Sequence, residues 1–452
     1  MKIIVIGCGK IGTTILASLV SEGHEVVAVD GDADAISEIS NIYDVMSVCG
    51  NGADCDTLAE AGVDGAELVV AVTGSDELNM LSCFLARRMG AKHTIARIRN
   101  PEYNDRSLGF MRQQLGLSLS INPEMLAAQE LYRILRMPTA LNVETFSRRN
   151  FEMVELLLKS TTPLDGVQIS DLRKRYDANF LICAVKRGEE TYIPDGNFVL
   201  RAGDRIGLMA APNELQKLLK MLGLMQKQAR NVMILGASKT AYYLSKMLLS
   251  GGCTVKLIEL DRDKCLEYSD TLPGVVMICG DGARQELLLE EGIRSTDAFV
   301  TLTGMDEENI LISCYAASQA VPKVITKVNR NELISMASKL GLDCMISPKK
   351  IVSDILVRYA RALNSSIGSK METMYKIMDG SAEAVEFIVG EDFSHIGTSL
   401  CDMRLKPHTL IAGIMRGRKA IIPAGHDTIQ PGDHVIVLSA DRHIVDLGDI
   451  LR

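Results

Sequence analysis

The chain has 452 residues, 47% apolar and 23% charged, with only 4% aromatic and no tryptophan. That is a globular composition whose cores must be aliphatic, and its length allows two to four domains at roughly 100–200 residues each. A net charge of −8 argues against a nucleic-acid binder, which needs a basic surface to neutralise phosphates. Eleven cysteines are scattered without a C-x-x-C pair, mostly inside apolar runs, and are expected to be reduced core residues of a cytosolic protein. Met1 to Gly7 is too short an apolar stretch for a signal peptide. No apolar run approaches the roughly 20 residues needed to cross a bilayer, so a membrane role requires a partner.

In chain order, apolar runs near 3–6, 26–30, 45–48, 68–72 and 94–98 read as buried parallel strands. Helix-forming segments near 10–22, 33–41, 54–61 and 76–89 alternate with them, which predicts a doubly wound parallel sheet. The first strand leads into Gly7-Cys8-Gly9-Lys10-Ile11-Gly12, a G-x-G-x-x-G loop opening a helix, and Asp30 ends the second strand 18 residues beyond Gly12. The full context is a dinucleotide fingerprint. Gly7 permits the tight turn, Gly9 lets backbone approach a pyrophosphate, and Gly12 lets helix and strand pack closely. The helix N-terminus offers unpaired N–H groups to phosphate. Lys10 can neutralise phosphate charge. Asp30 can accept bonds from a ribose diol and repels a 2′-phosphate, which favours NAD(H) or an adenine nucleotide such as ATP/ADP over NADP.

Thr73-Gly74 ends the fourth strand, at the sheet edge beside the nucleotide crevice. Arg97 lies among apolar neighbours on the fifth strand and needs an anion there, either a ligand or a nearby acid. A helical stretch runs from Pro123 to about Met137. Its apolar positions, Met125, Leu126, Leu131, Ile134 and Leu135, exceed the needs of one sheet and are expected to pack across units, between halves or between chains. The segment that follows is strand-rich, with strands expected at Val154–Leu158, Phe180–Val185 and Arg205–Met209 and a helix near 169–176.

The chain then repeats itself. Ile3 to Gly7 matches Val232 to Gly236, and Val26 to Asp32 matches Val255 to Asp261, both at a spacing of 229. Cys49-Gly50-Asn51-Gly52 and Cys279-Gly280-Asp281-Gly282 match at 230, and Pro194-Asp195-Gly196 matches Pro423-Ala424-Gly425. The fold class is therefore α/β: a tandem duplication of a Rossmann-type doubly wound parallel sheet, each copy followed by a small α+β domain. The units are residues 1–137, 138–225, 229–365 and 369–452. In the second copy Gly236, Lys239 and Glu259 repeat Gly7, Lys10 and Asp30, but Ser238 and Ala241 replace Gly9 and Gly12. That site is expected to bind more weakly.

With the duplication, the loop and the two tails in place, the chain resembles the TrkA family of peripheral regulators of bacterial Trk potassium uptake. Thr73-Gly74-Ser75-Asp76-Glu77-Leu78-Asn79-Met80 and Ile95-Ala96-Arg97-Ile98-Arg99 are similar to family stretches, and the N–C–N–C arrangement is more specific than any one motif. The resemblance implies tandem TrkA-N and TrkA-C domains that bind NAD(H) and ATP/ADP. It further implies a homo-oligomer, a tetrameric ring, held on the inner face of the membrane by a TrkH-type potassium channel or transporter subunit.

The rival class is an NAD-dependent oxidoreductase, which needs an acid/base group beside the nicotinamide. Of the histidines, His395, His408, His426, His434 and His443 lie far from the first loop in sequence, and His24 and His93 stand at strand starts, opposite the carboxyl edge. No catalytic pairing and no metal-type spacing is evident. A regulatory subunit without catalytic or metal-ligating residues is expected.

Overall fold

The computed structural model describes the chain except residues 102, 104, 148–149, 226, 365–368 and 441–443, so His443 lies outside the described residues. The first unit alternates as the apolar runs predict: β1 (Lys2–Ile6), α1 (Lys10–Ser21), β2 (Glu25–Asp30), α2 (Ala33–Ile42), β3 (Met46–Cys49), α3 (Cys55–Glu60), β4 (Leu68–Ala71), α4 (Asp76–Arg88) and β5 (His93–Arg97). The structure adds α5 (Asp105–Leu115) and β6 (Leu119–Ile121), which precede α6 (Pro123–Arg136). The parallel sheet runs β3-β2-β1-β4-β5-β6, so its order reverses beside β1, where the glycine loop emerges. Pro123 sits in the first turn of α6, and Asn122 caps it by accepting the Met125 N–H at 2.9 Å.

The first small unit holds β7 (Asn142–Phe146), β8 (Phe151–Leu157), α7 (Ile169–Arg175), β9 (Phe180–Arg187), β10 (Glu190–Tyr192), β11 (Arg205–Ala210) and α8 (Pro212–Met221). Its antiparallel sheet is ordered β10-β9-β11-β8-β7. The sequence pattern shows β8, β9 and β11 but not β7, β10 or α8; β10 has only three residues, none of them buried.

The second half repeats the plan: β12 (Asn231–Leu235), α9 (Lys239–Ser250), β13 (Thr254–Glu259), α10 (Arg262–Thr271), β14 (Val275–Cys279), α11 (Gln285–Glu290), β15 (Ala298–Thr301), α12 (Asp306–Ser318), β16 (Lys323–Lys327), α13 (Asn331–Lys339), β17 (Met345–Ile346) and α14 (Pro348–Asn364). Its small unit has β18 (Ser369–Ile377), β19 (Ala382–Val389), β20 (Thr409–Arg416), β21 (Lys419–Ile421) and β22 (His434–Ser439). The second pair of sheets is ordered β14-β13-β12-β15-β16-β17 and β18-β19-β22-β20-β21.

The two halves exchange helices. Leu131, Ile134 and Leu135 of α6 are fully buried against Val232, Ile234 and Leu244 of the second parallel sheet and its helix. In return Val352, Leu356 and Val357 of α14 pack with Ile3, Leu16 and Leu19 of the first. Of the two arrangements the apolar stretch allows, the structure thus shows packing between halves. Truncating one such leucine costs about 2–5 kcal/mol. The small sheets join as well: Phe146, Phe151 and Met153 share a core with Ile377, Met378 and Ala384. Among the described residues no helix is long and apolar enough to cross a membrane, and all eleven cysteines are free.

Candidate functional site

The first glycine loop is shaped by contacts that only glycine tolerates at two of its three positions. Gly7 has φ +97°, and a Cβ there would lie 2.7 Å from the Thr73 nitrogen. A Cβ on Gly12 would lie 1.8 Å from the Gly7 carbonyl oxygen. At Gly9 a Cβ meets nothing within 4 Å, because this residue faces the open cleft. No side chain caps α1, so the N–H groups of its first turn remain available to an anion.

Asp30 braces this loop. Its Oδ2 accepts the Cys8 N–H at 2.5 Å and its Oδ1 accepts the Asp32 N–H at 2.9 Å. Each oxygen keeps a further lone pair for a ribose hydroxyl. The Cys8 thiol is buried and turned to the Val29 carbonyl; burial, and then the Asp30 charge, push its pKa up to about 12, so it stays protonated. Cys8 therefore serves through its backbone.

At the carboxyl edge, buried Asn79 fastens β4 to β5. Its Oδ1 accepts the Thr73 N–H at 2.7 Å and the Thr73 hydroxyl at 2.8 Å, and its Nδ2 donates to the Arg97 carbonyl at 3.0 Å. Thr73 thus lines the cleft with its own polar groups committed, while Gly74 leaves the edge bare. Arg97 is only 11% exposed and lies 3.6 Å from Glu124 on α6, so a nearby acid does exist. The pairing is incomplete. Arg97 Nε, Arg99 Nε and Glu124 Oε2 are all buried without a hydrogen-bond partner. Arg99 Nε faces Asp76 Oδ1 at 3.9 Å, whereas Arg97 Nε has no acceptor, which is unusual for a buried donor.

The opposite wall comes from the second half. The cleft, about 1190 Å³, is lined by Gly7, Gly9, Lys10, Ile11 and Asp30 on one side and by Ser238, Lys239 and Thr240 on the other. Six basic side chains line it, Lys10, Arg97, Arg99, Lys239, Lys327 and Lys349, against the two carboxylates Asp30 and Glu124. In a chain of net charge −8 this is a local reversal of sign. Burial weighs on three of these cations. Arg97 is held below its ordinary pKa by burial and then by Arg99, Lys327 by burial, and Lys349 by burial and then by Lys10. A polyanion of nucleotide size would relieve all three.

The second loop keeps the frame and changes the mouth. Gly236 has φ +95°, Glu259 Oε2 accepts the Ala237 N–H at 2.6 Å, and Asn309 accepts the Thr303 N–H at 3.0 Å. Ser238, however, caps α9 by accepting the Ala241 N–H at 3.3 Å, and its own N–H turns back to the Gly236 carbonyl. Ala241, fully buried, carries a methyl at the position where Gly12 has no room for one.

Of the residues singled out from sequence, Gly7, Gly9, Lys10, Ile11, Asp30, Thr73, Gly74, Arg97 and Lys239 come together on the cleft; Cys8, Gly12, Gly236 and Glu259 are not among its lining. Arg99, Glu124, Lys327 and Lys349 also line it and were not anticipated. Repeat register holds the missing signal, since Lys327 follows Arg97 at the spacing of 230. Glu372, Glu386 and His434 place one ligand atom each within 4.8 Å of the others, because three neighbouring strands bring together residues far apart in sequence.

Comparison with known proteins bears on the whole chain. The TrkA-N domain model matches residues 3–122 and 232–348, and the TrkA-C domain model matches 153–223 and 384–452. A "Trk system potassium uptake protein TrkA homolog" of Archaeoglobus fulgidus is 33% identical over 452 residues, covering 100% of both chains. "Trk system potassium uptake protein TrkA" of Vibrio alginolyticus is 30% identical, covering 98% of this chain and 97% of its own. Among solved structures, the GsuK RCK domain aligns with a TM-score of 0.65 at 19% identity, over 97% of this chain and 92% of that one, a likeness of fold.

Proposed function

The chain belongs to the TrkA family, the non-enzymatic regulatory subunits of Trk potassium uptake, and from that premise we propose that its central cleft is the nucleotide sensor through which uptake is controlled. The observation that carries this reading is the reversal of charge in the cleft: six basic side chains, the buried Arg97 Nε without an acceptor, and an uncapped helix face one another between the two halves. The adenosine ribose of NAD(H) or ATP/ADP sits against Asp30, and its phosphates against Gly9, Lys10 and the opposite lysines. Solved GsuK channels of the same fold are described as bound to NAD and to ADP, which supports the choice of ligand. The rival reading as an NAD-dependent oxidoreductase falls with the family assignment.

The mechanism is a population shift. Because each half supplies one wall, a ligand bridging both walls favours one spacing of the halves over another. Only that difference in affinity can move the equilibrium. Transmitted through a homo-oligomer, a tetramer as the resemblance implies, it biases a TrkH-type membrane subunit that holds the assembly at the inner face of the membrane. Calorimetry with NADH, ATP and ADP on the full chain tests the site: Lys327→Gln with Lys349→Gln should weaken ATP at least tenfold. Equal affinity in this double variant would refute the shared cleft. Light scattering should show an oligomer; a monomer with and without nucleotide would refute the ring.

A further inference from the structure

The small domains carry a second pseudo-symmetric pair of sites, remote from the cleft. Glu155 on β8 and Glu386 on β19 occupy equivalent places at a spacing of 231, and each is 1–3% exposed. Each accepts a backbone N–H from the hairpin turn of the other small unit: Glu155 from Met378 at 2.9 Å, Glu386 from Ser147 at 3.0 Å. Both turn residues have positive φ, +51° and +47°. The Ser147 hydroxyl adds a bond to Glu386 at 2.6 Å.

The basic side chain facing these glutamates differs. In the first copy it is Arg205, whose guanidinium has enough N–H groups to serve Glu155 at 3.0 Å and Asp379 at 2.6 Å through separate nitrogens. In the second copy the equivalent residue on β22 is His434. Its Nδ1 faces two carboxylates at once, Glu372 at 2.6 Å and Glu386 at 3.0 Å. One ring nitrogen carries at most one hydrogen, so it cannot give both carboxylates a well-directed bond. The backbone has also been altered to create this convergence. Glu372 is the extra residue of a β-bulge between Met371 and Thr373, whereas β7 pairs with β8 without a shift. Bulges of this kind re-aim a side chain.

We propose that Glu372, Glu386 and His434 form a site for a divalent transition-metal ion, with zinc as the best match. Two carboxylate oxygens and one imidazole nitrogen are a borderline donor set, and three protein ligands leave a fourth position for water. Zinc bonds of about 2.0–2.2 Å place tetrahedral ligand atoms roughly 3.4 Å apart, so the triad admits the ion with shifts below about 1 Å. The Ser147 bonds orient Glu386 from behind, the usual role of groups that hold a metal ligand. Glu372, 31% exposed, gives the ion a path from solvent. The ion would replace the charge that Arg205 supplies in the other copy and fasten β18, β19 and β22, and through Ser147 the two small domains.

The test uses full-length protein stripped with a chelator and titrated with zinc against a chelating indicator. One zinc per chain is expected, with at least tenfold weaker binding in Glu372→Ala and in His434→Ala. Zinc should raise the Tm of the unaltered chain and leave that of the variants unmoved. Cobalt(II) separates this site from the cysteines: its spectrum should lack thiolate charge-transfer bands. No binding, equal affinity in the chain and the Glu372→Ala variant, or a thiolate-dominated cobalt spectrum overturns the proposal. Glu372 is exposed enough for its variant to decide even if His434→Ala fails to fold.

Discussion

The two glycine loops stand on the same frame and end in different mouths. Each has a left-handed glycine against β4 or β15, an acid bonded to the loop backbone, and an asparagine that staples the carboxyl edge. At Gly9 the helix is uncapped and a side chain would enter open space; at Ser238 the hydroxyl takes the place an anion would fill. The lesson is that the frame belongs to folding and the mouth to binding. A capped helix N-terminus satisfies its own donors, while an uncapped one waits for a ligand.

The sharpest way to break this comparison is to exchange the helix glycine and alanine. Gly12→Ala drives a methyl into the Gly7 carbonyl and should destabilise the chain by about 1–3 kcal/mol, with loss of nucleotide binding. Ala241→Gly should cost only about 0.5–1 kcal/mol, the helical penalty of glycine. Chemical denaturation of both variants reads the difference; equal costs would mean the second loop has no more room than the first.

Asp30→Ala comes next. It removes an acceptor for Cys8 and Asp32 as well as the ribose contact, and charged hydrogen bonds of this kind are worth roughly 1.5–3 kcal/mol each. Calorimetry should show NADH and ATP weakened by tenfold or more, and unchanged affinities would remove Asp30 from the site. Gly9→Val isolates the mouth from the frame. Its side chain meets nothing in the protein, so stability should hold within about 0.5 kcal/mol, as for an ordinary surface change, while affinity falls at least tenfold, or about 1.4 kcal/mol. A matching loss of Tm would show that Gly9 too is structural.

The smallest effect is a pH dependence. Lys327 and Lys349 have lowered pKa values in the free protein, and a bound polyphosphate would restore their charged forms. Below the lowered values both states are charged and affinity is greatest. As pH rises through them, binding must take up protons and affinity falls, at lower pH than an ordinary lysine would require. Titrations with ATP at increasing pH should show this decline in the native chain and its flattening in Lys327→Arg with Lys349→Arg. A profile indifferent to pH would place the phosphates elsewhere.

Much of the site was legible because it is local. The turn at Gly7, the helix opened by Lys10 and the acid at Asp30 lie within 30 residues of the amino terminus, and their chemistry follows from residue type and spacing. Repetition near 230 residues made the duplicated fold legible too, since each strand and helix carries its own apolar pattern. The ion pair of Arg97 with Glu124 was half legible: the strand arginine demanded an anion, but nothing in the order of residues said which acid α6 would bring to it.

Each unit could be read from the order of residues alone: its strands, its loop and the equivalence of the two halves. Only the tertiary structure decided that α6 and α14 change places, that the two loops share one cleft, and that a bulge turns Glu372 toward His434. The physical reason is distance along the chain. Periodicity reports which face of an element is buried, but the apolar face of α6 would be equally buried on any sheet of matching shape, and convergence of side chains from separate strands depends on register and packing that no local pattern encodes.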